Sequence, residues 1–204
     1  MRVSCLTFCA FIFLVKSLVV YSQEGPEIRK SSFKTVKDGF KVAWDHVREG
    51  DNYYSEKGKS FQDAYDEYKK AYLYNSNDAA LNYKTGVSAF YSGNRHEAAP
   101  YLIKAWELDN DISEDVLLLA GRALAFQGKF DEAVEKLEAF KSTIGQKYKS
   151  AGETADRYIS ECKAAKELTK DTLRIEIRNA GANINSDYDD YSIVLSPSGS
   201  RIYF

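Results

Sequence analysis

The apolar positions of this chain follow a helical period over most of its length. From about residue 33 to residue 168, apolar and aromatic side chains recur every three or four positions, which is the spacing of one face of an α-helix. Polar clusters and glycines interrupt the period and mark the ends of separate helices. The pattern predicts seven helices, at about 33–56, 60–74, 78–92, 95–108, 112–127, 130–143 and 148–168.

The period changes after residue 170. Residues 173–178 alternate apolar and charged side chains, which is the pattern of a half-buried strand. Two further apolar runs, 191–195 and 201–204, flank a Ser-Pro-Ser-Gly segment whose proline and glycine suit a type I turn. These runs predict a β-hairpin. Because a lone hairpin is marginal in water and the sequence stops within its second strand, we expect the sequence to be a truncated form of a longer protein.

Two segments of the helical region align with each other without a gap. Residues 85–98 match residues 120–133, and equivalent positions such as Gly86 and Gly121 are 35 residues apart. A looser copy places Gly50 in the same phase, 36 residues before Gly86. A period of about 34 residues is typical of stacked helix pairs, so the sequence predicts a helical array.

Small residues at repeated positions predict how the helices pack. Gly86 and Gly121 fall in the middle of predicted helices, where glycine costs up to about 1 kcal/mol relative to alanine. Their recurrence at one phase indicates the close approach of a second helix. Ala98 and Ala133 provide the matching small residues on that second helix.

Other residues predict where the helices end. Gly93 and Gly128 are expected to adopt the left-handed conformation that closes the first helix of each pair. Asn94 and Asp131 are expected to cap the helices that follow. Pro100 lies near the start of its helix and predicts either a mild kink or a late start.

This pattern resembles the tetratricopeptide repeat. The matching residues are Gly86, Gly93, Ala98 and Ala105, and then Gly121, Gly128 and Ala133, with Phe140 in place of the last alanine. The resemblance implies a superhelix over residues 23–170, closed by the helix at 148–168. It also implies that the first helices of the pairs line a concave groove that holds a partner peptide.

The last residues carry a second resemblance. The segments 183–191 and 195–204 are similar to the opening blade of a WD-type β-propeller. Signal peptide, tetratricopeptide repeats, propeller and a C-terminal OmpA-type domain form the layout of a class of Gram-negative envelope proteins, one of which is a periplasmic component of the type IX secretion system. The implied fold is mainly α, a tetratricopeptide-repeat superhelix followed at 171–204 by the first strands of a truncated propeller. Peptidoglycan binding is expected only through a C-terminal domain that this sequence does not contain.

The first 22 residues predict export. Arg2 precedes a short apolar run, and small residues near Ser22 suit cleavage before Gln23. The alternative is an uncleaved anchor, but Lys16 ends an apolar run that is too short to span a bilayer. We therefore expect a signal peptide at 1–22 and no membrane span after cleavage. With the family resemblance, this implies a periplasmic protein associated with the outer membrane.

Charge and composition exclude several classes of function. The formal net charge is −2, which argues against a nucleic-acid surface. Only two histidines, His46 and His96, occur in the chain, so a three-histidine metal site is impossible. Three aspartates at 187, 189 and 190 do not complete an EF-hand, because serines stand where the loop needs glycine and glutamate. A different oxygen cage at these aspartates is left open.

No catalytic constellation is present in the sequence. It contains no phosphate loop, no GxSxG elbow and no HExxH pair. Cys162 is the only cysteine outside the leader, and both histidines lie far from it in sequence, so it is predicted to be a buried small hydrophobe and not a nucleophile. The sequence therefore predicts a protein that is not an enzyme and that needs no cofactor.

Aromatic and arginine side chains on the first helices are the candidate binding residues, because these residue types dominate binding hot spots. We expect Tyr83, Tyr91 and Arg122 to be exposed, and the alternative is that most of these side chains pack between helices. The predicted function is a scaffold that binds a protein or peptide in the groove. Two alternatives are a fragment of a propeller enzyme with its active site in the missing part, and a structural adaptor between outer membrane and cell wall. The predicted site comprises Tyr54, Tyr83, Val87, Tyr91, Leu118, Arg122 and Phe126.

Overall fold

The computed structural model describes residues 25–34, 39–55, 59–144, 148–170, 194–196 and 202–203. The chain divides into two compact units, the first ending at Thr169 and the second covering residues 170–204. The first unit contains the helices α1 (Phe40–Tyr54), α2 (Phe61–Tyr72), α3 (Ala79–Tyr91), α4 (Ala98–Leu108), α5 (Val116–Phe126), α6 (Phe130–Ile144) and α7 (Lys149–Leu168). Short 3-10 helices at Lys30–Phe33 and Arg95–Glu97 precede α1 and α4.

The seven predicted helices are present. The observed and predicted bounds differ most at the first residues of α1 and α5. The helix α1 begins at Phe40 and not near residue 33, because Gly39 has a φ of 92° and this left-handed conformation cannot continue a helix. The helix α5 begins at Val116 and not near residue 112, since Asp115 forms its N-terminal boundary. The predicted signal peptide lies outside the described residues.

The helices stack in chain order. Each helix packs mainly against the helix before it and the helix after it, which is the arrangement of a helical repeat. Among the odd-numbered helices, α3 also contacts α5 directly and α5 contacts α7, whereas the described residues of α1 and α3 have no comparable contact. Successive even-numbered helices have no comparable contact within the described part of the chain. The first unit is therefore built of two layers of helices, and the odd-numbered layer is the closer packed of the two.

The repeated glycines lie where paired helices approach most closely, as predicted. A Cβ atom built on Gly86 would lie 2.6 Å from Cγ of Leu102, and one built on Gly121 would lie 2.7 Å from Cγ of Leu137. It would also lie 3.0 Å from the carbonyl oxygen of Ala133. The side chain that fills the space over each glycine is thus a leucine, one turn after the predicted alanine.

The predicted helix ends are confirmed in part. Gly128 has a φ of 74°, and the N–H of Lys129 donates to the carbonyl of Leu124, so α5 closes in a left-handed cap. The prediction for Gly93 is wrong, because its φ is not positive. Pro100 lies in the first turn of α4, which starts late after a 3-10 turn.

The two predicted caps act differently from expectation. Asn94 precedes the 3-10 helix without a side-chain cap, and its amide donates instead to Gln62 and Ser92. Asp131 lies inside the first turn of α6 and accepts hydrogen bonds from Lys166, with Nζ to Oδ1 at 2.6 Å. Both predictions are wrong, since each side chain is used between elements and not at a helix start.

In the second unit, β1 (Val194–Leu195) pairs with β2 (Ile202–Tyr203) in antiparallel register. This pairing joins the two runs that were predicted to form a hairpin. The predicted strand at 173–178 and the three aspartates at 187–190 lie outside the described residues. Across the described ranges, no helix has the length and apolar character needed to cross a membrane.

Candidate peptide-binding site

The seven predicted binding residues fall into three groups by exposure. Tyr54, Tyr83 and Val87 are buried, which contradicts the expectation that Tyr83 is exposed. Tyr91 and Phe126 are exposed by 39% and 52%. The other two, on α5, are partly buried, with Leu118 packed against the core and Arg122 at its edge.

Tyr83 is buried because the loop before α5 covers it. The side chain is 5% exposed, and its hydroxyl donates to Oδ1 of Asp115 at 2.7 Å. The hydroxyl of Ser113 lies 3.2 Å away and donates to the same carboxylate. Burial, with the nearby charge of Asp115, raises the pKa of Tyr83 above its ordinary value. Tyr83 therefore ties α3 to the start of α5 and is part of the fold.

Tyr54 belongs to a polar cluster inside the first two helix pairs. Lys84 is buried and its Nζ donates to Oδ1 of Asp51 at 2.6 Å, and the hydroxyl of Tyr68 donates to the same oxygen at 2.7 Å. The Lys84 ammonium also lies 5.3 Å from the centre of the Tyr54 ring. A buried ammonium needs such a partner, because an unpaired buried charge is strongly destabilising. This cluster is thus explained by the internal packing of the protein.

The segment that precedes α1 covers the same region. A Cβ atom built on Gly25 would lie 3.3 Å from the Tyr54 hydroxyl and 3.6 Å from Cε of Lys84. Further along the segment, Ile28 and Phe33 are buried in the core. This segment therefore occupies the side of α1 and α3 that the sequence predicted to be part of an open groove.

Hydrogen bonds hold the end of this segment against the start of α3. The hydroxyl of Ser32 donates to Oδ2 of Asp78 at 2.5 Å, and the amide of Asn75 donates to the carbonyl of Ser32 at 3.1 Å. Asp78 also accepts from the N–H of Leu81 and so caps α3. The covering segment is thereby anchored at the end that leads into α1.

A continuous series of ring contacts runs along the ends of the odd-numbered helices. The rings of Tyr54 and Phe61 lie 5.8 Å apart, those of Phe61 and Tyr91 lie 5.2 Å apart, and Phe90 joins Tyr91 and Phe126 at 5.2 and 5.9 Å. Tyr54, Tyr91 and Phe126 are the last residues of α1, α3 and α5. The repeat thus places an aromatic side chain at equivalent ends, and we call this series the aromatic ridge.

Arginine side chains lie against the aromatic ridge. Cζ of Arg122 is 4.8 Å from the centre of the Phe90 ring and 4.7 Å from that of Tyr158, so the guanidinium lies between rings of α3 and α7. Cζ of Arg95 lies 5.5 Å from the centre of the Phe126 ring. Such contacts stabilise an arginine without using its N–H groups.

A cavity of about 280 Å³ opens beside Arg122, between α5, α6 and α7. Its walls are mainly apolar, and the cysteine in them is buried, as predicted. Burial also raises the pKa of the Cys162 thiol, which disfavours the reactive thiolate. The side chains around the cavity include Arg122, Phe126, Phe130, Leu137, Tyr158 and Cys162.

No group of three or more His, Cys, Asp or Glu side chains among the described residues is arranged to hold a metal ion. Of the two histidines, His46 lies with Nδ1 2.7 Å from Oε2 of Glu67, and His96 is exposed. In the aromatic ridge, Tyr54 and Phe90 are buried, and the exposed members, Tyr91 and Phe126, with the arginines beside them, are the side chains best placed to bind a partner.

Sequence reasoning missed Phe61, Arg95 and Tyr158. Phe61 starts α2, Arg95 lies in a connection, and Tyr158 belongs to the last helix, so none of them is on the first helix of a repeated pair. Tyr158 carried a signal that could have identified it, since α7 was predicted to pack against the last repeat. Comparison with models of protein families gave no match, and no curated protein matches this chain either.

Proposed function

We propose that the first unit is a non-catalytic docking module that binds a segment of a partner protein along the aromatic ridge. The main support for this proposal is the position of Phe126. Its ring is half exposed, lies against Phe90 and Arg95, and lines the cavity. Large aromatic and arginine side chains that are grouped at a surface beside a pocket are the usual composition of a binding hot spot.

The layering of the helices supports a groove on this side. Of the odd-numbered helices, α3 contacts α5 directly and α5 contacts α7, and a layer with shorter spacing lies on the inner side of a curved helical array. This agrees with the resemblance to tetratricopeptide repeats, in which the first helices of the pairs line a concave surface. Because residues 25–33 cover the α1 side, we place the docking surface on α3, α5 and α7.

We further propose that the module acts after export, in the periplasm and in association with the outer membrane. The support is the leader sequence, in which Arg2 and an apolar run precede small residues at Ser22. A place in type IX secretion rests on the resemblance of the chain to envelope proteins of that layout. Mass spectrometry of the chain recovered from cells is expected to find Gln23 as the first residue, and a chain that begins at Met1 would contradict cleavage.

The docking proposal is tested by site-specific photo-crosslinking in the full chain. A photoreactive phenylalanine analogue at position 126 is expected to give one discrete crosslinked product, and the yield is expected to fall when Arg122→Ala is added. The matched control carries the analogue at position 73, because Leu73 is 84% exposed and lies just after α2, away from the aromatic ridge. Equal products from positions 126 and 73, or no product from either, would overturn the proposal.

A further inference from the structure

We infer that Arg122 and the adjacent cavity bind a partner segment in which a carboxylate stands next to an apolar side chain. The carboxylate would bind the guanidinium, and the apolar side chain would enter the cavity between α5, α6 and α7. This inference rests on the proposed docking function and specifies the chemistry of the partner.

The guanidinium of Arg122 is held in place but keeps its hydrogen-bonding capacity. It lies between the rings of Phe90 and Tyr158, and no hydrogen bond or ion pair joins it to any residue in the described ranges. A guanidinium carries five N–H donors in its plane, and ring contacts do not satisfy them. A carboxylate can accept two parallel hydrogen bonds from the N–H groups along one edge of the guanidinium, which is the strongest arrangement open to an arginine.

The charges around the cavity favour an anionic group. Among the described residues, Glu161 is the one acidic side chain that lines it, and its Oε1 lies 3.6 Å from Nε of Arg157, which balances its charge. Arg95, against Phe126, adds a cation that likewise has no ion pair to a described residue. The local excess is therefore positive on a chain whose formal net charge is −2. The apolar lining of the cavity, and not the net charge, is what favours a carboxylate beside an apolar side chain over inorganic phosphate.

The cavity suits one side chain and not a whole ligand. Its volume of about 280 Å³ is at the lower limit of the roughly 300–1,000 Å³ found for pockets that enclose small molecules. Phe130, Leu137 and the ring of Tyr158 give it apolar walls, so a leucine or a phenylalanine is the fitting occupant. Arg122 belongs to the same lining, which requires the carboxylate and the apolar side chain to be close neighbours in the partner.

The test uses the full chain, labelled with ¹⁵N, and three short peptides with blocked ends. The first peptide contains Leu-Glu between glycines and serines, the second contains Leu-Gln, and the third contains Ser-Glu. The Leu-Glu peptide is expected to shift the Nε–Hε signal of Arg122 and to bind about tenfold more tightly than either of the other two. Equal binding of Leu-Glu and Leu-Gln, or no shift with any peptide, would overturn the inference.

Two variants separate the role of Arg122 from general charge. Arg122→Gln is expected to abolish the preference for Leu-Glu over Leu-Gln, and Arg122→Lys is expected to keep only part of it, because lysine lacks the planar fork. The control is Arg48→Gln, an exposed arginine on α1 that pairs with Asp45. If Arg122→Gln retains the preference, or if the control loses it, the inference fails.

Inorganic phosphate serves as the competing anion. It is expected to displace the Leu-Glu peptide no better than acetate does, and stronger displacement by phosphate would show that the site selects another class of anion. A crosslinked partner at position 126 without any preference for the Leu-Glu peptide would refute this inference alone. The absence of any crosslinked product at position 126 in the chain with Arg122 intact would refute the docking function itself.

Discussion

The side chain of Leu137 on α6 fills the space in which a side chain at Gly121 on α5 would lie. A Cβ atom on Gly121 would lie 2.7 Å from Cγ of Leu137 and 3.0 Å from the carbonyl oxygen of Ala133, a distance that real side chains rarely reach. The same relationship recurs one repeat earlier, at Gly86 and Leu102. The absence of a side chain on the first helix of each pair thus sets how closely the second helix packs.

Replacement of Gly121 by leucine is therefore expected to destabilise the first unit. Because the backbone of Ala133 cannot move aside without separating the helices, overpacking should lower the free energy of unfolding by about 1–3 kcal/mol. Urea unfolding followed by circular dichroism measures this difference. The matched control is Gly152→Ala on α7, where no described atom outside the helix's own backbone lies within 4 Å of the added atom and helix propensity favours alanine by up to about 1 kcal/mol. Equal stability of Gly121→Leu and the parent would show that the glycine has no packing role.

Tyr83 and Phe126 are expected to respond differently to truncation. Tyr83→Ala removes a buried ring and one of the two hydroxyl donors to Asp115, so the free energy of unfolding should fall by about 3–5 kcal/mol. Phe126→Ala removes a half-exposed ring and should change stability far less. Thermal melting of the two variants, compared with Leu73→Ala as a surface control, measures the contrast. A Tyr83→Ala variant that melts like the parent would mean that this tyrosine is a surface residue after all.

The segment before α1 is expected to contribute to stability. Phe33 is fully buried and its ring lies 6.1 Å from that of Trp44, so Phe33→Ala should lower the free energy of unfolding by about 3–5 kcal/mol. The exposed residue Glu27 provides the control, since Glu27→Ala is expected to change stability by less than about 0.5 kcal/mol. Chemical denaturation of both variants tests this. If Phe33→Ala and Glu27→Ala unfold alike, the segment does not hold the helices together.

Glu97 is expected to make stability depend on pH through Tyr65. The hydroxyl of Tyr65 donates to Oε2 of Glu97, and this hydrogen bond, helped by Lys69, lowers the pKa of the carboxyl below its ordinary value of 4.5. A carboxyl whose pKa is lower in the folded state stabilises the fold above about pH 4.5, and this contribution disappears as the pH falls through the folded-state pKa. The stability difference between the parent and Tyr65→Phe should therefore be larger at pH 7 than at pH 3.

Urea unfolding at both pH values measures that difference. The control is Tyr53→Phe, because the hydroxyl of Tyr53 has no hydrogen bond to the described residues, and this variant should show no such dependence on pH. A difference for Tyr65→Phe that is the same at pH 3 and pH 7 would contradict the role assigned to Glu97.

The helices and their pairing were accessible from sequence because both depend on local, periodic information. The recurrence of Gly86 and Gly121 predicted a close helix approach, and the structure has that approach at both positions. Cys162 lies on the apolar stripe of its helix, and its burial followed from that stripe. In each case the signal is the periodic spacing of small or apolar residues along the helices.

Which side chains of the predicted binding face are exposed depends on contacts between different helices, and the periodic pattern of the sequence does not specify these contacts. Tyr83 and Tyr91 share a face of α3, yet Asp115 covers the first, and the second is 39% exposed. The contact of Arg122 with Tyr158 joins α5 to α7, two elements whose packing is not part of the repeat. The sequence by itself determined the period, the helices and the residue types on each face. Only the tertiary structure decided which part of that face is covered. The physical reason is that a helical period specifies the side of the helix on which a side chain lies, but not which other element packs against that side.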